Sequence, residues 1–201
     1  MERYYAERLE RFGATPRGVD WNSAASQALR FDRLLVALED TADDADKSLV
    51  DYGCGYGALL DVLRLRGSRM RYHGFDISGA MIEAARTRHA GDERASFSAD
   101  LNAVPRAHYT LASGIFNVRL DHTVDQWHGY VMETLAAIDA LSIRAFAFNM
   151  LSTYSDADRR RNDLFYMDPL SIFDACQRRF SRRVALLHDY PLYEFTIIVR
   201  K

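Results

Sequence analysis

From Leu49 onward, short apolar runs alternate with amphipathic stretches, and this rhythm limits the fold more than any other feature of the chain. Apolar runs at 49–52, 71–75, 95–98, 109–115 and 145–150 predict five strands. Between them, 58–66, 79–89, a segment opening at Thr123, and 168–180 predict helices. Ser78 and Asp168 stand where N-caps belong, and Pro169 suits a first turn. Thr123 and Gln126 fit a capping box, followed by a stripe of Val124, Trp127, Val131, Leu135 and Ile138. Met81, Ala84 and Ala85 share one face of the 79–89 helix. Strand–helix alternation builds a mostly parallel sheet with helices on both faces. Two last runs, 184–188 and 193–199, predict a closing antiparallel hairpin.

Upstream, residues 1–12 predict a short helix, followed by a turn at GATPRG. A second helix carries Ala24, Ala28, Phe31, Leu35 and Leu38 on one face. The acidic EDTADDAD, residues 39–46, reads as a linker. These features predict a helical cap and linker over 1–46 and a core over 47–201.

At 201 residues the chain suits one domain, and its net charge of −2 gives no reason to expect nucleic acid or an anionic membrane as partner. Lys47 and Lys201 are the only lysines, and Arg159-Arg160-Arg161 reads as a solvated loop. Cys54 and Cys176 stand far apart without further ligand residues, so neither a disulfide framework nor a metal site is expected. The N-terminus lacks the apolar run of a signal peptide, and no stretch has the ~18 apolar residues of a membrane span. A cytoplasmic protein is expected.

In parallel sheets, ligands sit beyond the carboxyl ends of the strands at the point where strand order reverses. The first such loop, in LVDYGCGYGALL, holds Gly53, Gly55 and Gly57 within five positions. That density permits a tight turn and close approach of a ligand. It also satisfies the dinucleotide pattern G-x-G-x-x-A through Gly53, Gly55 and Ala58. A P-loop is excluded, because no Lys-Ser/Thr pair follows. Asp76 ends the second strand 25 positions after Asp51, where a carboxylate either accepts from a ribose diol or helps cap the helix starting near Gly79. Asp100 ends the third, in reach of an exocyclic adenine amine. A carboxylate at Asp51, just before the glycines, is awkward for a pyrophosphate and suited to an ammonium or sulfonium.

These segments together resemble the class I S-adenosylmethionine-dependent methyltransferases over roughly residues 48–200. VDYGCGYGALL resembles the first motif, (V/I/L)-(D/E)-x-G-x-G-x-G. GFDIS with the following Met81 resembles the second and SADL the third, while LASGIFNV stands in the place of the fourth. The resemblance implies a Rossmann-like three-layer sandwich: a mostly parallel seven-stranded sheet with an antiparallel C-terminal hairpin strand, under an N-terminal helical cap. It implies that Gly53, Gly55 and Gly57 lie along the methionine part of S-adenosyl-L-methionine and that Asp76 takes the ribose hydroxyls. Ile77 and Met81 then flank adenine, Asp100 and Leu101 hold its edge, and Ser113 and Phe116 lie near the methyl donor.

Acceptor-side residues are less determined. The fourth loop, Asn117 to His122, lacks the (D/N/S)-P-P-(Y/F/W) sequence of members that modify bases or glutamine amides. His122 is either a general base or a surface residue at a helix start. Arg119 either clamps an anionic group or forms a surface ion pair. The 17-residue connection Leu151–Met167, with Tyr154 and Tyr166, reads as a lid or substrate loop. Trp21 and Arg30 either close over the cofactor, with Arg30 on the methionine carboxylate, or Trp21 staples a helix to the sheet. His188, Tyr190, Tyr4 and Tyr5 shape either the acceptor pocket or the fold. The expected activity is methyl transfer to an oxygen or nitrogen atom of a small-molecule metabolite. The rivals are an NAD(P)-dependent oxidoreductase, disfavoured by Asp100, the closing hairpin and the lack of a Tyr-x-x-x-Lys pair, and a non-catalytic cofactor-binding module.

Overall fold

Parallel pairing of the first strands sets the architecture. The computed structural model describes residues 2–21, 23–38 and 44–201, so most of the expected acidic linker lies outside the described residues. Five parallel strands, β1 (Ser48–Tyr52), β2 (Arg71–Phe75), β3 (Ala95–Ser98), β4 (Ala107–Ala112) and β5 (Ser142–Ser152), stand in the order β3-β2-β1-β4-β5. Beyond Met167, β7 (Arg183–Leu187) and β8 (Glu194–Arg200) form the expected hairpin, and β8 runs antiparallel along β5. An eighth strand was not expected: β6 (Tyr166–Met167) pairs with Leu151 and Ser152. Because β8 already occupies one edge of Leu151, β6 takes the other edge, where β4 has ended.

Side-chain alternation along the strands sorts the core into two layers. On β5, Phe146, Phe148 and Met150 face α5 (Val124–Leu141) and α6 (Pro169–Arg179), packing with Trp127, Val131, Leu135 and Ile172. Ala145 and Ala147 face the opposite way, with Leu49, Tyr72, Tyr109 and Leu111. There they meet α2 (Ala24–Leu35) and α3 (Ala58–Leu65) through Phe31, Leu34, Leu59, Leu60 and Leu63. The helix α4 (Gly79–Arg88) packs on β3, and α1 (Glu2–Phe12) lies against α4 and the 3-10 turn Pro16–Val19.

The capping signals are all realised. Ser78, Asp168 and Thr123 accept from Met81, Leu170 and Gln126 backbone amides, and Gln126 returns its side chain to the Thr123 amide at 3.0 Å. Three details differ. β4 stops at Ala112, because Gly114, at φ +76°, turns the chain out of the sheet. The buried face of α2 is Gln27, Arg30, Phe31, Leu34 and Leu35, leaving Ala24 and Ala28 exposed. Periodicity missed that rotation because two of the buried residues are polar and find partners inside. Val124 is 58% exposed, at the first position of α5. Among the described residues, no helix is long and apolar enough to cross a membrane.

Candidate active site

Strand order reverses between β1 and β4, and a cleft of about 880 Å³, part of it open to solvent, lies at their carboxyl ends. Its floor is the end of β1, Asp51 and Tyr52, and the loop that follows to Tyr56, with Ala58 at the start of α3. One wall is Phe75, Asp76, Ile77 and Met81, and another is Ser113, Gly114 and Ile115 with Tyr130 of α5. Tyr5, Val19 and Trp21 cover it from the N-terminal segment, with Gln27 and Phe31 behind them.

Three left-handed residues shape the floor: Gly53, Gly55 and Gly57, at φ +81°, +54° and +83°. Only glycine adopts this conformation without strain. A Cβ at Gly53 would lie 2.2 Å from Ile115 Cγ2, and one at Gly57 would lie 2.8 Å from His89 Nε2. The space freed by the missing side chains is thus filled by the protein itself. Asp76 fixes the loop further: Oδ2 accepts from the Gly55 amide and Oδ1 from the Ser78 amide, both at 2.9 Å. Burial raises the Asp76 pKa, and these two amide bonds oppose the rise.

Deeper in the cleft, Asp51 Oδ2 accepts a 2.5 Å hydrogen bond from the Tyr72 hydroxyl. Burial pushes the Asp51 pKa up to about 7, against the lowering effect of the Tyr72 bond and with a further rise from the Asp76 charge. The cleft therefore holds one carboxylate poised near neutrality beside another. Burial also raises the pKa of the Tyr5 and Tyr130 phenols, with Asp76 adding to the rise, so both stay protonated donors at neutral pH.

The cleft brings together Trp21, Asp51, Gly53, Gly55, Asp76, Ile77, Met81 and Ser113 of the expected site. Gly57 shapes the loop without facing the cleft. Others lie elsewhere. Arg30 turns away from the cleft into a buried pair with Glu194, Nε at 2.9 and 2.8 Å from the two oxygens and Nη2 at 2.6 Å from Oε1. That pairing, with the Trp21 ring 4.0 Å from the guanidinium, removes Arg30 from the methionine-carboxylate role expected of it. Phe116 is fully buried against Phe148 and Tyr130, since β4 ends early and the turn at Gly114 carries residue 116 back into the core. Asp100 is exposed and accepts from the Asn102 amide, capping the 3-10 turn that contains Leu101; neither lines the cleft.

The acceptor-side expectations fare differently again. His122 is exposed beside the Trp127 ring and does not line the cleft. Arg119 donates to the Leu164, His122 and Asn162 carbonyls, binding the connection after β5 to the loop after β4. That connection is held down as well by Arg160, which donates to the Thr153 and Ser155 carbonyls. Tyr154 is 67% exposed, and Tyr166 accepts from the Arg161 amide; neither lines the cleft. His188 packs on Phe195, and Tyr190 bonds Thr196. Sequence reasoning missed Tyr52, Phe75, Ile115 and Tyr130 as walls. A signal existed for Ile115, two residues beyond Ser113, but Tyr130 lies on the polar side of the α5 stripe.

A family model for a methyltransferase domain matches residues 21–137. The chain belongs to this methyltransferase family, in the class I S-adenosylmethionine-dependent form that its strand order and cleft define. The protein named "Putative methyltransferase Rv1506c" of Mycobacterium tuberculosis (strain ATCC 25618 / H37Rv) is 51% identical over 154 residues, 77% of this chain and 93% of that one. Solved structures share the fold at low identity. A complex of DhpI with SAH has a TM-score of 0.59 at 18% identity, covering 98% of this chain and 92% of that one. The CurJ carbon methyltransferase gives 0.65 at 12%, covering 96% and 58%. Magnesium protoporphyrin IX methyltransferase from Synechocystis PCC 6803, with bound SAM, gives 0.54 at 13%, covering 89% and 98%. Family membership sets the oxidoreductase reading aside.

Proposed function

We propose that this methyltransferase binds S-adenosylmethionine in the cleft between β1 and β4 and methylates an oxygen or nitrogen atom of a small-molecule metabolite. The Asp76 carboxylate carries the reading. Each of its oxygens accepts one backbone amide and keeps further acceptor capacity for the two hydroxyls of a ribose. Ser113 Oγ supports it: the atom is buried, has no hydrogen-bond partner among the described residues, and its residue lines the same cleft. Buried polar atoms are rarely left unpaired, so a ligand is the natural partner. Ile77, 50% exposed at the rim, and buried Met81 offer apolar faces to adenine, and Gly53 and Gly55 lie under the methionine part. Asp51 suits the cationic end.

The cofactor supplies a methyl group already activated by a sulfonium. The chain then has to align the acceptor and exclude water. Tyr5, Val19 and Trp21 cover the cleft, which favours an enclosed small acceptor over a nucleic acid strand, as does the net charge of −2. The wall holds phenols and apolar groups, and among the described residues no arginine or lysine lines it. An acidic acceptor would enter without a countercharge, beside two buried carboxyl groups. An uncharged or cationic acceptor fits best. A screen of metabolite pools with methyl-labelled donor tests the activity, and labelled O- or N-methyl products are expected. Label only on carbon, or none with any pool, contradicts the proposal.

A further inference from the structure

A buried polar circuit joins the cover of the cleft to the loop after β4. Asn149, on β5 and fully buried, accepts at Oδ1 from the Gly114 amide at 2.7 Å and donates through Nδ2 to Glu194 Oε2 at 3.0 Å. Glu194, 1% exposed, holds Arg30 through both oxygens, and Arg30 also donates to the Ser26 carbonyl. The Arg30 guanidinium stacks on the Trp21 ring at 4.0 Å. Trp21 closes the circuit: its ring occupies the place of a Cβ at Gly114, with Cζ2 and Cη2 both 2.4 Å from that position. Residues from α2, β5, β8, the N-terminal segment and the loop after β4 thus meet at one glycine.

Such a pair gives little net stability over apolar packing, because both ions lose their water. What it does give is position, since a carboxylate gripped by a guanidinium fork and an amide has one orientation. We infer that Asn149 and Glu194 are positioning residues for methyl transfer: through the Gly114 amide and through Arg30 on Trp21, they fix the Ser113–Ile115 wall and the cover above it. The inference rests on the reading of this cleft as the cofactor site.

Titration calorimetry with S-adenosylhomocysteine, joined to ¹⁹F NMR of protein carrying 5-fluorotryptophan at its two tryptophans, tests it. Asn149→Ala and Glu194→Gln should each weaken binding about tenfold or more and shift the Trp21 signal, leaving Trp127 in place. Because the two share one closed circuit, the double variant should lose less affinity than the two single losses added together. Asn149→Asp keeps an acceptor for the Gly114 amide but donates to Glu194 only while protonated. Its deficit relative to the parent should therefore shrink as pH falls from about 8 to about 5.5, a trend that general loss of packing does not produce. This variant also serves if the alanine substitution fails to fold. Affinities within about twofold of the parent at every pH, or an unmoved Trp21 signal, overturn the inference. If the parent itself does not bind S-adenosylhomocysteine, the reading of the cleft fails instead, and the Trp21 signal alone decides the positioning claim.

Discussion

Tyr72 donates its phenolic proton to Asp51 at a point where Tyr72 is fully buried and Asp51 is 3% exposed. With the Asp51 pKa at about 7 in the folded protein and 3.8 as the ordinary value, the Asp51 carboxyl holds its own proton more tightly in the folded state than in the unfolded one. The Asp51 contribution to stability should then fall as pH rises between about 4 and 7 and level off above, by at most about 4 kcal/mol at ~1.4 kcal/mol per unit. Urea midpoints measured across this range should decline in the parent, and the decline should be smaller in Asp51→Asn, which keeps an acceptor for Tyr72. Parallel declines in the two proteins would place the titration elsewhere.

The same group predicts proton release. A cationic ligand beside a half-ionised Asp51 favours its charged form, so S-adenosylmethionine binding near pH 7 should expel a fraction of a proton. The apparent binding enthalpy should track the ionisation heat of the buffer, and Asp51→Asn should remove most of that dependence. A parent enthalpy independent of buffer would show that neither the ammonium nor the sulfonium lies beside Asp51.

Gly53 and Gly67 offer a matched pair. Both are left-handed, at φ +81° and +78°, but a Cβ at Gly67 meets nothing within 4 Å, whereas one at Gly53 lies 2.2 Å from Ile115. Gly67→Ala should cost about 1–2 kcal/mol of stability and leave S-adenosylhomocysteine affinity unchanged. Gly53→Ala should cost more and weaken binding, because Ile115 is itself a cleft wall. Equal affinities in the two variants would mean that the floor tolerates movement of Ile115.

The lack of arginine and lysine along the cleft, among the described residues, makes a prediction about product. After incubation of metabolite pools with methyl-labelled donor, the labelled product should pass an anion exchanger at neutral pH. Retention of the label on the exchanger would show that an anion finds a countercharge in the cleft.

How much of this was legible in the sequence depended on the range of the interactions. Caps and glycine turns are local, so Ser78, Thr123, Asp168 and the floor at Gly53–Gly57 could be read directly. Asp76 could be read from its place at the end of a strand. Arg30 could not, because the residue that claims it, Glu194, lies 164 positions away on the closing hairpin. Nor could the partners of Arg119, read as an anion clamp or a surface ion pair: the carbonyls of Asn162 and Leu164 lie beyond β5. Phe116 was displaced by a local event, the end of β4 at Ala112, whose only mark was Gly114. Tyr5 and Tyr130 reach the cleft from α1 and α5, and no spacing announces that meeting.

In the proposed function, Asp76 anchors an adenosyl ligand in the cleft between β1 and β4. Calorimetry with S-adenosylmethionine, S-adenosylhomocysteine and NADH, on the parent and on Asp76→Ala, tests it most directly. Losing two hydroxyl hydrogen bonds to a charged acceptor, each worth about 1.5–3 kcal/mol, should weaken both adenosyl ligands about a hundredfold or more. Circular dichroism should show the fold intact, and NADH should give no binding heat with either protein. Binding of NADH alone, or adenosyl affinities indifferent to Asp76→Ala, would contradict the account.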